Sequence, residues 1–245
     1  MTPARLARLA VATSLMLVAA EARAQTMDEA RSAYEDGRFV EAADLAEAIG
    51  TSEAYALAAQ SLAVYAHYEA SEEEWEEVVE RAMRMGEEAV KADSTNPDAH
   101  YQSAHAVGRY AQRIGAWTAL RQGLAGKIRD LLEATIALDP DYVDAILALG
   151  GWHADIAAEG FIARRMYGGK KEEAVKLFDR ALEMAPESKV VLHAYAIRLP
   201  YLDEENGLAR AREMLNKALE LPVMDAYEDY LHLDVLDALD ELRDR

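Results

Sequence analysis

The sequence predicts an all-α chain built as a row of helix pairs, and three observations carry that prediction. Apolar residues recur at helical spacing along most of the chain. No stretch keeps the alternation of a strand, and β-branched residues are scattered. Alanines return to the same slot of successive helices, as in Ala42, Ala174 and Ala211, which marks an internal repeat. The expected architecture is a superhelix of about five helix pairs closed by a C-terminal capping helix, comfortably above the ~3 repeats a stable stack needs.

The chain opens with a segment outside that pattern. Arg5 and Arg8 precede the uncharged run Leu9–Ala20, and Ala22-Arg23-Ala24 has the A-x-A form of a cleavage site. This reads as a signal peptide over 1–24 with Gln25 as the mature N-terminus. The apolar run is too short to cross ~30 Å of hydrocarbon as a helix, and no later run is long enough. An exported, periplasmic protein without membrane insertion is expected.

The repeats then fall at roughly 27–50, 52–94, 97–139, 140–185 and 186–222, with the capping helix over 225–243. Ala30 to Ile49 is a helix, a turn at Asp36-Gly37 and a second helix with Phe39, Ala42, Ala43 and Ala46. Thr51–Tyr68 is alanine-rich and helical. Ser71-Glu72-Glu73-Glu74 is a capping box with its acids against the positive end of the helix dipole. Asn96-Pro97-Asp98 starts the next helix, Asn as cap and Pro as first helical residue. Asp139-Pro140 repeats that start before a helix over 142–156. Pro186 opens the helix that Leu199-Pro200 closes, and Pro222 ends its partner.

Composition narrows the function. There is no cysteine, which excludes disulfides, thiolate metal sites, a cysteine nucleophile and a lipid anchor on cysteine. The formal charge is −19, and loss of residues 1–24 with their three arginines and one glutamate makes it −21. Such a charge disfavours nucleic acid, whose binding needs clustered Lys and Arg, and anionic membranes. His100 and His105 are five apart rather than the four a helical metal pair requires. No H-E-x-x-H, P-loop, G-x-S-x-G or dinucleotide fingerprint occurs. No metal, cofactor or enzymatic activity is expected.

Ala174-x-x-x-Phe178-x-x-Ala181-Leu182 followed by Pro186 resembles the second helix of a tetratricopeptide repeat. Ile146, Leu149, Gly150 and His153 stand in its first-helix slots, while Ala211, Leu215 and Ala218, and Thr135 with Asp139-Pro140, give further copies. The family's first-helix Gly and second-helix Ala lie about twelve residues apart, but Gly150 and Ala174 are 24 apart, and Gly108 and Ile128 are 20. Insertions at roughly 116–124 and 157–169 therefore occupy the same place in neighbouring repeats and should lie side by side on one edge. Long repeats of this kind, with Gly108, Gly115, Ile128, Leu132, Gly151-Trp152 and Arg164-Arg165, resemble two families. One is the periplasmic T component of TRAP-type transporters, the other the regulator of microtubule dynamics family of eukaryotes. The first resemblance implies a periplasmic protein partner, the substrate-binding subunit, and a capacity to form homo-oligomers. The second informs the fold, since an exported protein does not meet microtubules.

Residues 99–129 contain no Asp or Glu, although the chain has 45. Within them Ala104, Val107, Gly108 and Ala111 fit packing slots, leaving Gln102, His105, Arg109, Gln112 and Arg113 on a face the family turns toward its concave groove. Those residues suit an anionic or carboxylate-bearing partner; equally, the arginines would pair with acids of adjacent repeats. Trp117, Arg121 and Lys127 follow in the same island. Arg164 and Arg165, with Lys170, Lys171, Phe161 and Tyr167, form a second acid-free patch, either a binding edge or a solvated loop. Trp117 and Trp152 are read first as packing residues and second as platforms for a ligand. Glu69–Glu80, with seven glutamates, is a solvated helix face that could also meet the basic insertions of a neighbouring subunit. The function expected is a scaffold binding a periplasmic protein, with carriage of, or catalysis on, a small anionic molecule as the other reading.

Overall fold

A computed structural model describes residues 26–243, so the expected signal peptide lies outside the described residues. Among these, all regular structure is helical. The first pair is α1 (26–35) with α2 (Phe39–Ile49), and the second α3 (Ser52–Tyr68) with α4 (Trp75–Ala92). In the third, α5 (Pro97–Ile114) and α7 (Leu124–Leu138) enclose a short α6 (Ala116–Arg121). The fourth repeats this plan with α8 (Val143–Ala158), α9 (Phe161–Tyr167) and α10 (Lys171–Met184). The fifth is α11 (Lys189–Ala196), a single turn α12 (Leu199–Leu202) and α13 (Gly207–Glu220), and α14 (Ala226–Arg243) follows. That extra turn in the fifth pair is a third insertion, too short to disturb the apolar spacing in the sequence.

Side-chain caps set several of these boundaries. Asn96 Oδ1 accepts the amide of Asp98 at 3.0 Å, fixing the start of α5 around Pro97. The Ser71–Glu74 box forms in both directions, with the Glu74 amide donating to Ser71 Oγ and the Ser71 amide to Glu74 Oε2. It closes a turn, and α4 proper begins only at Trp75. Pro186 does not open α11; Ser188 does, accepting the Val191 amide at 3.3 Å.

Packing within the pairs rests on small residues. Ala42, Ala43, Ala54, Ala58, Ala63 and Ala82 have no exposed surface, so these helices meet almost backbone to backbone. At Gly150 an added Cβ would lie 3.3 Å from Leu177 Cβ, which places α8 hard against α10. Large side chains fill the spaces between pairs. Phe178 and Tyr195 stack with centroids 4.7 Å apart, and Tyr195 Oη donates to Asp179 at 2.8 Å. Gly108 departs from its expected packing slot, since a Cβ there would meet nothing within 4 Å. The close approach of this region is at Gly86 of α4, where a Cβ would come within 2.7 Å of Ser103 Cα.

The last helix does more than cap. Val235 and Leu242 join the core of the last pairs, while Ala226, Tyr227 and Tyr230 pack with Tyr34 and Phe39 of the first pair and Val64 of the second. Tyr68 of α3 donates to Asp234 at 2.7 Å, stacks on Tyr230 at 4.7 Å, and Tyr230 donates to Glu69. Helix α14 thus runs across the arc and ties its two ends together.

These contacts can be tested one at a time. Gly86→Ala should destabilise by about 1–3 kcal/mol through overpacking, lowering the melting temperature by ~2–4 °C per kcal/mol in a chain this size, whereas Gly108→Ala should be neutral or stabilising. Tyr68→Phe should raise amide exchange selectively in α14, because it leaves the Asp234 carboxylate short of a donor; uniform loosening would contradict the bridging role.

Candidate functional site

The two insertions do lie side by side. Both short helices are entered through a glycine at positive φ, Gly115 at 84° before α6 and Gly160 at 93° before α9. The Tyr167 hydroxyl at the end of α9 donates to the carbonyl of Leu120 in α6 at 2.8 Å. Leu120 and Ala163 share one core cluster with Ala125, Trp152 and Ile156. Little else of either helix turns inward, since only Ala119 and Leu120 of α6 and Ala163 of α9 are buried.

Their outer face is apolar and basic together. Trp117 is 62 % exposed, Phe161 70 %, Ile162 58 % and Met166 64 %, and Arg121, Arg164, Arg165 and Lys170 stand exposed around them. None of these four cations has an ion pair among the described residues. Trp117 is thus not a packing residue. The buried side of α6 is centred between Ala119 and Leu120, and at ~100° per residue the tryptophan stands more than a quarter-turn from it. Trp152 is a packing residue: it is buried and its indole N–H donates to the Ala125 carbonyl at 2.8 Å.

The five residues assigned to the α5 groove face separate. Gln102 is buried and donates to Asp98 at 3.1 Å. Arg113 turns to α4, where it pairs with Glu72 and lies 4.8 Å over the Trp75 ring, itself stacked on Tyr110. Lys127 pairs with Glu87 at 2.7 Å. For Arg113 and Lys127, pairing with acids of the adjacent repeat holds. Arg109 differs: its Nε donates to His105 Nε2 at 3.2 Å and its Nη1 to Gln112 at 3.3 Å, with no carboxylate in ion-pair reach among the described residues.

Tyr101, His105 and Arg109 form one row along α5, four residues apart, with the Tyr101 and His105 rings parallel. Tyr227 of α14 packs near Tyr68 of α3, and burial raises its hydroxyl pKa. His105 is held neutral, its pKa pushed down to about 3 by desolvation, then by Arg109 and His67. Since Nε2 accepts from Arg109, the ring proton sits on Nδ1, which has no partner. His67, more open to water, is lowered to about 4 for the same first reason, and His193 is lowered too. Tyr101, His105, His193 and Tyr227 are half-buried, and His67 is exposed.

Two clefts lie elsewhere, and several of their charges are paired. In one of ≈ 550 Å³, Arg210 pairs with Asp203 at 3.3 Å and Lys171 with Glu204 at 3.6 Å. In one of ≈ 760 Å³, Glu53 pairs with Arg31 and Asp98 accepts from Tyr142. No group of three or more potential metal ligands occurs among the described residues, and no described helix is long and apolar enough to cross a membrane.

A histidine whose folded pKa lies below its unfolded value binds fewer protons folded than unfolded between the two, so stability falls as pH drops through that window. His105 therefore removes stability as pH falls from about 6.5 toward about 3. His105→Gln, which cannot charge, should flatten that part of the melting-temperature profile; an unchanged slope would show that the imidazole is not buried neutral.

No curated protein matches the sequence. Among solved structures, the chain is similar to a thermophilic TPR protein of Thermus thermophilus, with TM-score 0.62 and 17% identity over 89% of this chain and 98% of that one. It is also similar to Pseudomonas aeruginosa pilF, with TM-score 0.52 and 14% identity over 91% and 89%. Identities this low show the fold, a tetratricopeptide-type helical superhelix. The sequence model of regulator of microtubule dynamics protein 1-3 matches residues 21–243, nearly the full chain, and the chain belongs to that family.

Proposed function

We propose that this protein is an exported binding scaffold that docks an acidic, partly apolar protein surface onto the edge formed by α6 and α9. One observation carries the reading: the joined insertions leave Trp117, Phe161, Ile162 and Met166 exposed, with Arg121, Arg164, Arg165 and Lys170 exposed on or next to the same two helices. Trp and Arg are the side chains that most often dominate interface energy. Large apolar groups gathered on one face mark an interaction site. The four cations sit in a chain of net charge −19 and so complement an acidic partner rather than their own surroundings. An anionic bilayer fits less well, because the rest of the molecule would be repelled from it. In the periplasm, the substrate-binding subunit of a TRAP-type carboxylate transporter is the first partner to try.

The test is cross-linking capture in the native host. Arg164→Glu combined with Arg165→Glu should reduce capture of the specific partner at least ~10-fold while the melting temperature stays unchanged, and Trp117→Ala should do the same, at a hot-spot cost of ≥ ~2 kcal/mol. Capture insensitive to all three substitutions, or sedimentation with anionic vesicles that depends on them, would overturn the reading.

A further inference from the structure

We propose that the edge formed by α6 and α9 receives a second copy of this chain, which docks the outer face of its α14 there. The inference rests on the edge being a docking surface and names an occupant for it. Helix α14 is anchored by Leu231, Val235 and Leu242, which are 3 %, 0 % and 5 % exposed. At ~100° per residue, Leu233 and Leu236 stand roughly 150° around the helix from that side. Both are exposed, at 55 % and 42 %. Asp229 and Asp240 fall between the two leucines on the same arc, and Asp237 lies at its margin, all three exposed. Asp229 and Asp237 have no ion pair among the described residues, and Asp240 pairs there only with Arg243, an exposed neighbour on its own helix.

This face is the chemical counterpart of the edge. The edge offers four exposed apolar side chains and four exposed cations without an ion pair among the described residues. Helix α14 offers two exposed leucines set among three aspartates. A helix laid on such a surface by its apolar stripe, with acids along that stripe, satisfies both kinds of group at once. The glutamate-rich start of α4 is more acidic but lacks the free apolar half. There Trp75 stacks on Tyr110, and Val78 packs against the core of the first pairs.

Both faces are exposed in the same fold, so neither covers the other within one chain. The contact is therefore between copies. Because it joins two different patches it runs head to tail, each chain giving α14 to one neighbour and its edge to another. One helix stripe on two short helices makes a small interface, so association is weak and follows concentration. A tighter foreign partner displaces the copy, and self-docking covers the edge while that partner is absent.

Sedimentation of the whole mature protein over a wide concentration range reads this directly. The mass of the wild type should rise with concentration. Leu233→Gln with Leu236→Gln, which keeps helix propensity, should weaken self-association at least ~10-fold with the melting temperature unchanged, as should Trp117→Ala. Mixed together, the α14 variant and the Trp117→Ala variant should form a one-to-one pair and nothing larger, because each keeps the patch the other lacks. A wild type that stays monomeric throughout, self-association that survives either variant, or a mixture that does not pair overturns the proposal. The first of these outcomes is read without any variant. Capture of a foreign partner is read separately and depends on Trp117 but not on Leu233 or Leu236, so a monomeric wild type overturns self-docking and leaves the edge reading standing.

Discussion

The structure depends on how closely its paired helices approach. Alanine after alanine is fully buried along α2 and α3, with Ala82 and Ala89 on α4, and Gly86 and Gly150 bring helices nearer still. A small-residue seam supplies little transfer energy by itself, since a methyl group buries little area. What it does is set the spacing at which Phe39, Leu62, Phe178 and Tyr195 can be wholly enclosed between neighbouring pairs. Enlarging a seam residue would therefore disturb the packing of side chains several ångströms away.

That spacing also fixes the curvature of the stack, and curvature decides where α14 can go. A flat row of pairs would leave its first and last members too far apart for one helix to touch both. Here α14 buries Leu242 and Val235 at one end and packs Tyr227 and Tyr230 at the other. The bond from Tyr68 to Asp234 and the stack of Tyr68 on Tyr230 join residues more than 160 positions apart. Burial among these packed helices lowers the pKa of His105 and His67 and raises those of Tyr101 and Tyr227. These shifts follow from how the helices pack rather than from any local motif.

Much of this was legible in the sequence, for physical reasons that also mark where legibility ends. Helical periodicity and alanine slots report local geometry, so the helices and the all-α class emerge directly. The displaced spacings Gly150 to Ala174 and Gly108 to Ile128 report inserted length, and that length at equivalent places is enough to predict contact between α6 and α9, realised as Tyr167 on Leu120. The face of α5 resolved only partly. His105, Arg109 and Gln112 do belong together, but Gln102 and Arg113 sit roughly 60–80° around the helix from His105 and answer to Asp98 and Glu72. Tyr101 shares the row, and its neutral ring gives no charge signal by which to place it there. The bridging role of α14 leaves no periodic trace, because an amphipathic helix looks the same whether it caps a stack or spans it.

Two features remain costly if folding alone is considered. Exposing Trp117, Phe161, Ile162 and Met166 forgoes about 1.5–3 kcal/mol per large side chain that burial would return, and a chain able to enclose Phe178 completely has the means to hide them. Holding Arg109 against the neutral His105 and Gln112, and Asp144 half-buried with no ion pair among the described residues, is unfavourable in the same sense, since neither charge meets an opposite one. The two costs differ in kind and in place. The first lies on short helices outside the seams and is relieved by an apolar surface with acids around it. The second lies on long helices, at Arg109 of α5 and Asp144 of α8, and is relieved only by an opposite charge brought to each. The edge and these two side chains stand on different elements of the fold, so neither cost is explained by the other.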